Sequence, residues 1–293
     1  MARNYPYGKG AVRLVSTDWL AERLGNKKGG PMTVLDVQPN IHDYVQEHIP
    51  GSIYLNEGLY RHYHGRLPTL WVEPYEIGRV FGCAGIRADI PVVVYTGKGA
   101  AKGWGDGLEQ TMTAYTLARY GHENVFVLDG GLDKWKTEGR PVSQEFPRVP
   151  PANFEPRLKR DFYIDYEEFL ALKDSDDVVL LDARPPEKYE GQSFWVKPGH
   201  IPGAVNLPWA SLMDASNPAL LKAEGEVAEL ISAKGATPDK TIICSCGTGR
   251  EATNEFLLFK FYLGYSKVKL HEGAFTEWAS YPENPTVTGK NPR

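Results

Sequence analysis

Residues 241–265 read TIICSCGTGREATNEFLLFKFYLGY and give the clearest signal of fold class in the chain. The segment begins with a short apolar run at 241–245, which is typical of a parallel strand buried on both faces. A loop with two glycines follows at 246–251, and apolar residues then recur at helical spacing as far as Gly264. This order predicts an α/β protein whose central sheet is mainly parallel and flanked by helices.

Working outward, the second half of the chain continues to alternate strands and helices. The run VVLLDA at 178–183 predicts a buried strand, PALLKAEGEVAELISAKG at 218–235 predicts a helix, and KVKLHE at 267–272 predicts a further strand. In such sheets, ligands bind at the carboxyl ends of the strands. The loop at 246–251 is therefore the first place to look for chemistry.

The first half of the chain repeats the pattern of the second half in the same order, which indicates two duplicated domains. The matched segments are TVLDVQ (33–38) with VVLLDAR (178–184), HIPGSIYL (48–55) with HIPGAVNL (200–207), VVVYTG (92–97) with TIICSC (241–246), and VFVLDGGLDKW (125–135) with VKLHEGAFTEW (268–278). Between the halves, residues 141–157 are rich in proline, which favours extended chain. We expect one domain over 1–145 and another over 157–293.

Composition excludes several function classes. Of 293 residues, 42% are hydrophobic and 24% are charged, and the net charge is −4, so a nucleic-acid footprint is not expected. No apolar run reaches the ~20 residues that span a bilayer, and the first residues lack the apolar stretch of a secretory signal. We expect a cytoplasmic protein without nucleic-acid or membrane partners.

The chain contains three cysteines, Cys83, Cys244 and Cys246, which argues against a disulfide framework. The Cys-x-Cys spacing does not match a paired zinc site, and we predict neither a metal nor a cofactor. Cys246 opens the glycine loop, where successive amide groups, a helix amino end and Arg250 all favour a thiolate. We therefore predict a lowered pKa for a nucleophilic Cys246. Cys244 lies within the strand and is interpreted as packing, with a resolving role as the alternative.

At this loop the sequence resembles the tandem-domain rhodanese family of thiosulfate and 3-mercaptopyruvate sulfurtransferases. The resemblance covers nearly the whole chain and rests on the duplicated Leu-Asp strands, His-Ile-Pro-Gly turns and Gly-x4-Trp tails, together with Cys246-Gly-Thr-Gly. It implies that a donor places a sulfur atom on Cys246 and that an acceptor, cyanide or a thiol, removes it. The first domain has Gly97 in the place of the cysteine, and this loop is predicted to be inactive. A phosphatase of the same fold would need arginine at 252, where the chain has Ala252.

The sulfur donor is predicted to be a small anion, and two donors stay open. Thr248 supports 3-mercaptopyruvate, since its hydroxyl resembles the serine of those enzymes, whereas Arg250 suits thiosulfate, which we favour. Two further observations concern this choice. The resemblance implies an arginine near 188 that binds the donor anion; the chain has Lys188 there, and Arg184 is a substitute for it. The resemblance to the 3-mercaptopyruvate enzymes also implies an aspartate after the first His-Ile-Pro-Gly turn, and here that carboxylate is absent or moved to Glu57.

The remaining loop residues, Gly247, Gly249 and Glu251, are assigned to donor binding, and the Glu251 side chain is expected to face outward. Residues 60–71 are interpreted as a surface loop or as a wall of the donor pocket. His48 and His200 are interpreted as structural because the inactive half has one too. An alternative from another functional class is a non-catalytic sulfur-carrier or sensor module.

Overall fold

A computed structural model of the chain describes residues 3–26 and 30–293. They form two units, and each contains its own five-stranded sheet. The first unit holds the described residues up to Arg61, Val72–Lys159 and Met213–Leu221, and the second holds His62–Trp71, Arg160–Leu212 and Lys222–Arg293. The predicted domain limits at 145 and 157 stay a prediction. The two units do not coincide with the two halves of the sequence, because each unit includes one short segment from the other half.

The strands are short and nearly all belong to the two large sheets. They are β1 (Val12–Val15), β2 (Thr33–Asp36), β3 (Ile53–Tyr54), β4 (Arg61–His64), β5 (Leu67–Trp71), β6 (Val92–Tyr95), β7 (Val125–Leu128), β8 (Tyr163–Ile164), β9 (Val178–Asp182), β10 (Val205–Asn206), β11 (Thr241–Ser245) and β12 (Val268–His271). The pair β4 and β5 forms a separate two-stranded sheet.

The helices flank the sheets. They are α1 (Thr17–Asn26), α2 (Ile41–Gln46), α3 (Pro74–Cys83), α4 (Leu108–Arg119), α5 (Gly131–Thr137), α6 (Tyr166–Leu172), α7 (Pro186–Glu190), α8 (Glu224–Ser232), α9 (Ala252–Leu257) and α10 (Ala274–Ser280). Shorter 3₁₀ turns cover Glu57–Tyr60, Arg160–Phe162 and Trp209–Leu212, and a π-helical turn covers Leu258–Tyr262.

The two large sheets have the same topology, which confirms the duplication seen in the sequence. The first has the order β1-β7-β6-β2-β3, and the second, read from its other edge, has the order β8-β12-β11-β9-β10. The neighbouring strands of both sheets pair in parallel. Strand β11 is central, between β9 and β12, and its residues from Ile242 to Ser245 are buried. The predicted α/β class with mainly parallel sheets is confirmed.

In each unit, a tryptophan and a histidine at corresponding positions hydrogen-bond the segment that follows the last helix. The Trp135 indole donates to the Pro141 carbonyl at 2.7 Å, and the Trp278 indole donates to the Pro285 carbonyl at 2.8 Å. His200 bonds two backbone carbonyls and stacks on Tyr189 with ring centroids 3.6 Å apart. His48 makes the corresponding contacts in the first unit. These contacts support the structural interpretation of both histidines.

Two predicted helices differ from those observed. The helix predicted over 218–235 begins only at Glu224, because Leu221 forms a bridge with Met213 and donates its N–H to the Asp129 carboxylate. The helix predicted to follow the glycine loop changes after Leu257 into the π-helical turn. Of the helices in the described part of the chain, none combines the length and apolar character needed to cross a bilayer.

Candidate active site

Cys246 lies at the carboxyl end of the central strand β11, where the fold predicts a ligand site. The last pair of the parallel ladder joins Ser245 to Asp182 of β9, so the end of β9 lies beside the start of the loop. The loop then turns back, and Phe275 and Thr276 of α10 donate their N–H groups to the carbonyls of Cys246 and Gly247 at 2.9 and 3.0 Å. The strand end and α10 together fix the position of the loop.

Backbone amides of the loop point at the Cys246 sulfur. The Gly249 N–H donates to Sγ at 3.1 Å, and the backbone of Thr248 and of Ala252 also hydrogen-bonds the sulfur. Gly249 has a φ of +83°, a conformation that favours glycine over any residue with a Cβ. The predicted inward direction of the amides is confirmed, and it provides donors for an anionic sulfur.

The predicted lowering of the Cys246 pKa is wrong in this geometry. The side chain is 0% exposed, and this burial raises the pKa of the thiol well above its ordinary value. The charge of Glu251 and a hydrogen bond from the thiol to its carboxylate raise the pKa further, against the lowering effect of the Thr248 and Ala252 amides. Desolvation of the charged form therefore outweighs the loop amides.

The expectation that Glu251 faces outward is also wrong. Its carboxylate hydrogen-bonds the Cys246 thiol, and its Oε2 atom is buried without a hydrogen-bond partner. Glu251 is the N-cap residue of α9, and its side chain makes no capping hydrogen bond to that helix. Glu251 is thus a neighbour of the reactive sulfur.

A second carboxyl group, Glu255, lies one helical turn further along α9. It is 0% exposed, and neither side-chain oxygen has a hydrogen-bond partner. Burial raises the pKa of Glu255 well above its usual range, and the charges of Asp182 and Glu251 raise it further. Burial therefore favours the protonated form of Glu255, a feature that the sequence pattern did not reveal. Cys244, also 0% exposed, has its pKa raised by burial and by the charge of Glu255.

Arg184 lies behind the loop in a buried ion pair. It is 1% exposed, its Nη2 lies 2.6 Å from Asp182 Oδ2, and the same nitrogen donates to the Gly199 carbonyl at 3.0 Å. Its Cδ is 3.7 Å from the position that a Cβ on Gly247 would occupy. Of the Arg184 nitrogens, only Nη1 has no hydrogen-bond partner. Most of the guanidinium, which we predicted to bind the donor, therefore stabilises the fold.

Two tryptophans form walls on the two glycines of the loop. A Cβ on Gly247 would lie 2.7 Å from the Trp195 ring, and a Cβ on Gly249 would lie 3.2 Å from the Trp71 ring. The Trp195 indole donates to the Thr276 hydroxyl at 2.8 Å, and that hydroxyl donates to the Gly247 carbonyl at 2.8 Å. Residues 60–71 therefore contribute a wall through Trp71. Sequence reasoning missed Trp195, which lies in a short apolar run at 194–196.

The remaining predicted site residues also lie in or near this loop; they are Lys188, Thr248 and Arg250. The Lys188 ammonium lies 5.2 Å from the centre of the Phe194 ring, which stacks on Trp195 at 4.2 Å. Thr248 and Arg250 are half-buried within the loop, and the Arg250 carbonyl accepts hydrogen bonds from Thr253 at the start of α9. Lys188 is thus on the Trp195 side of the loop.

Behind the strand end, the side chains of Ser245 and His271 meet at 3.2 Å from Oγ to Nδ1. His271 is buried, stacks on Phe169 at 3.9 Å and has Nε2 3.7 Å from Glu277 Oε2. The sequence offered no role for this histidine. In the structure it links Ser245 to Phe169 and Glu277 beneath the loop.

The corresponding loop of the first unit is closed by its own acidic side chains. Gly97 occupies the cysteine position, and the next amide, from Lys98, donates to Asp133 at 2.8 Å. Ala101 donates its N–H to Asp43. Within residues 3–26 and 30–293, no group of three or more His, Cys, Asp and Glu side chains is arranged to hold a metal ion.

Comparison with protein families agrees with the duplicated fold. The model of the Rhodanese-like domain matches residues 16–138 and 165–281. The chain belongs to the rhodanese family. It contains two such domains in tandem, and only the second has a cysteine at the head of the loop.

Several proteins of known name are similar to this rhodanese over most of its length. A putative thiosulfate sulfurtransferase of Synechococcus elongatus is 37% identical over 286 residues, with 95% of this chain and 86% of the relative covered. The sulfur carrier protein TtuD of Thermus thermophilus is 31% identical over 292 residues, with 94% and 97% covered. Other relatives are named thiosulfate and 3-mercaptopyruvate sulfurtransferases.

A solved structure gives the same fold. The anaerobic ergothioneine biosynthesis enzyme of Chlorobium limicola, in complex with trimethyl histidine, superposes with a TM-score of 0.80 at 23% identity. The superposition covers 94% of this chain and 70% of that chain. At this identity the likeness concerns the fold alone.

Proposed function

We propose that this rhodanese is a sulfurtransferase that moves sulfane sulfur from thiosulfate to cyanide or a thiol through a persulfide on Cys246. The observation that carries the proposal is the hydrogen bond from the Gly249 amide to Cys246 Sγ at 3.1 Å. Amide donors aimed at that sulfur stabilise the negative charge of a thiolate or of a terminal persulfide sulfur. The names of the relatives support the same reaction class.

The roles of the other residues follow from their positions. Thr248, Gly247 and Gly249 form the loop that surrounds the sulfur, and Arg250, half-buried within it, provides positive charge for an anionic donor. Lys188 supplies a second positive charge on the Trp195 side. Arg184 contributes through the Nη1 atom, while its other contacts hold the floor of the loop.

A single-turnover experiment tests the proposal. The protein is mixed with thiosulfate, and intact mass is measured before and after addition of cyanide. We expect the gain of one sulfur atom, its loss to cyanide, and no gain in the Cys246→Ser variant. No gain in the wild-type protein with thiosulfate or with 3-mercaptopyruvate would contradict the proposal.

Two alternatives are distinguished by the same experiment. A 3-mercaptopyruvate sulfurtransferase, favoured by Cys246-Gly-Thr-Gly, would take up sulfur faster from 3-mercaptopyruvate than from thiosulfate. A sulfur-carrier module, favoured by the similarity to the Thermus carrier protein, would hold the sulfur and release it to a protein partner more readily than to cyanide. The cytoplasmic location and the absence of nucleic-acid partners stay predictions from composition.

A further inference from the structure

The Gly247 carbonyl in the loop accepts two hydrogen bonds from one residue of α10. The Thr276 N–H donates to it at 3.0 Å, and the Thr276 hydroxyl donates to it at 2.8 Å. A carbonyl oxygen has two lone pairs, so Thr276 occupies both of its acceptor positions. The peptide plane between Gly247 and Thr248 is therefore fixed to the first turn of α10.

Trp195 sets the direction in which the Thr276 hydroxyl donates. An indole N–H is a donor only, so the Thr276 oxygen, 2.8 Å away, must accept from it. The single proton of the hydroxyl then points to the Gly247 carbonyl. The same indole ring lies 2.7 and 2.8 Å from the place where a Cβ on Gly247 would be. Trp195 thus orients the hydroxyl and also limits the residue at 247 to glycine.

Fixing this carbonyl leaves the next amides of the loop directed at the sulfur. In a trans peptide the carbonyl and the following N–H point in opposite directions, so the Thr248 N–H points away from α10. The Thr248 backbone hydrogen-bonds the Cys246 sulfur, and the Gly249 N–H donates to Sγ at 3.1 Å. A Gly247 carbonyl that rotated inward would bring its negative oxygen towards the sulfur and turn these donors away.

The first unit provides an internal comparison, because Asp133 stands at the position that corresponds to Thr276. Each of the two lies two residues before the tryptophan of its matched segment. The Asp133 carboxylate is an acceptor only, and it takes the N–H of Lys98 at 2.8 Å, in the loop where Gly97 replaces the cysteine. The position thus holds an acceptor that takes a loop amide in one unit, and a donor that bonds a loop carbonyl in the unit with the cysteine.

We propose that Thr276, oriented by Trp195, is a positioning residue of sulfur transfer, an inference that rests on the proposed function and adds two residues to it. Its hydroxyl holds the Gly247 carbonyl outward, so that the loop amides stay directed at the sulfur while the persulfide forms. In that step the Cys246 thiolate attacks the sulfane sulfur of thiosulfate, and a bond forms between the two sulfur atoms. Sulfite leaves with the electron pair of the broken bond, and the thiolate charge moves to the terminal persulfide sulfur, so no oxidant or reductant is consumed.

Three variants at 276 test the proposal through single-turnover sulfur uptake from thiosulfate. Thr276→Val keeps the backbone N–H but removes the hydroxyl, and its maximal rate should fall about tenfold, the effect of one hydrogen bond. Thr276→Ser keeps the hydroxyl and should stay within about twofold of wild type. Thr276→Asp places an acceptor against the Gly247 carbonyl, as at Asp133, and should lower the rate by about 10²-fold or more. The half-saturating thiosulfate concentration should change little, because Arg250 and Lys188, assigned to the donor anion, are retained.

The Trp195→Phe variant tests the first link of this chain of hydrogen bonds. It keeps an aromatic ring beside the loop but removes the indole N–H, so the Thr276 hydroxyl is no longer confined to one direction. We expect the rate to fall about threefold or more, because the bond to the Gly247 carbonyl is then made only part of the time. In the Thr276→Val background the same change should slow uptake by less than about twofold, since both residues act through one contact. Effects that multiply would contradict the link between Trp195 and Thr276.

The matched control is Thr137→Val on α5, which removes an exposed hydroxyl that bonds the backbone carbonyls of Asp133 and Lys134. Its sulfur uptake should equal that of wild type, and melting temperatures show that each variant folds. Wild-type rates in Thr276→Val would overturn the proposal, as would a folded Thr276→Ser that is as slow as Thr276→Val. If Thr276→Val does not fold, wild-type rates in Trp195→Phe overturn it instead. A wild-type protein that takes up no sulfur from thiosulfate or 3-mercaptopyruvate would refute the proposed function itself.

Discussion

The carboxylate of Asp182 and the guanidinium of Arg184 form an ion pair at 2.6 Å in the interior of the second unit. Both side chains are nearly inaccessible, and Arg184 also packs its guanidinium 4.2 Å from the centre of the Phe275 ring. In the first unit, Asp36 accepts from the neutral side chain of Gln38 at the same spacing. The unit with the cysteine therefore has a buried ion pair under its loop where the first unit has a carboxylate and a neutral amide.

The Arg184→Met variant tests what this pair contributes. It leaves Asp182 buried and uncompensated, and breaking a buried pair in this way costs about 3–5 kcal/mol in the free energy of unfolding. Urea denaturation measures the loss. The control is Arg87→Met, which breaks an exposed pair with Asp89 at 2.8 Å and is expected to leave stability unchanged. Equal stability of the two variants would contradict the interpretation.

A second prediction concerns Gly249 in the loop that follows Cys246. Gly249 combines a φ of +83° with a Trp71 ring and a Glu272 carbonyl where its Cβ would lie, so Gly249→Ala strains the backbone by roughly 1–3 kcal/mol and displaces the amide that faces Cys246. We expect sulfur uptake to fall at least tenfold. The control is Gly225→Ala in α8, which has open space at its Cβ. Unchanged sulfur uptake in Gly249→Ala would show that this amide has no role in the reaction.

Glu255 makes stability depend on pH. Its folded-state pKa is raised, so the stability that its protonated form contributes is complete below the unfolded pKa of ~4.3 and is lost as pH rises towards the folded pKa. Glu255→Gln removes this dependence. We therefore expect the variant to melt at a higher temperature than wild type at pH 7 and not at pH 4. A melting temperature that is lowered equally at both pH values would show that Glu255 is not held neutral in the fold.

The raised pKa of Cys246 predicts slow alkylation of the resting protein at neutral pH. The thiolate fraction, and with it the rate, should rise as pH increases past 9, since burial and Glu251 hold the proton on the sulfur. Peptide mass after iodoacetamide treatment gives the rate at Cys246, with exposed Cys83 as an internal reference. Rapid alkylation of Cys246 at pH 6 would mean that the sulfur is already ionised.

The fold could be predicted from the sequence because its signals are local and duplicated. The buried run at 241–245 and the duplicated His48 and His200 turns predicted parallel strands and two domains, and both are found. The start of α8 was misjudged because a contact from Asp129 holds Leu221 in an extended segment, a long-range contact that periodicity does not contain.

The electrostatics of the site were not accessible in the same way. The sequence shows the glycines and Arg250 of the loop, which favour a thiolate, but it does not show how deeply Cys246 is buried. Nor does it fix the direction of Glu251, which depends on where α9 starts relative to the strand end. The walls formed by Trp71 and Trp195 come from distant segments and become visible only in the folded unit.

The most direct test of the account is to locate the transferred sulfur atom within the chain. The protein is loaded with thiosulfate under non-reducing conditions, its remaining thiols are blocked, and its peptides are analysed by mass. We expect the additional sulfur on the peptide that contains Cys246, its release as thiocyanate when cyanide is added, and no additional sulfur on the peptide that contains Cys83. Additional sulfur at Cys83, or none at Cys246 in a protein that still transfers sulfur, would contradict the account.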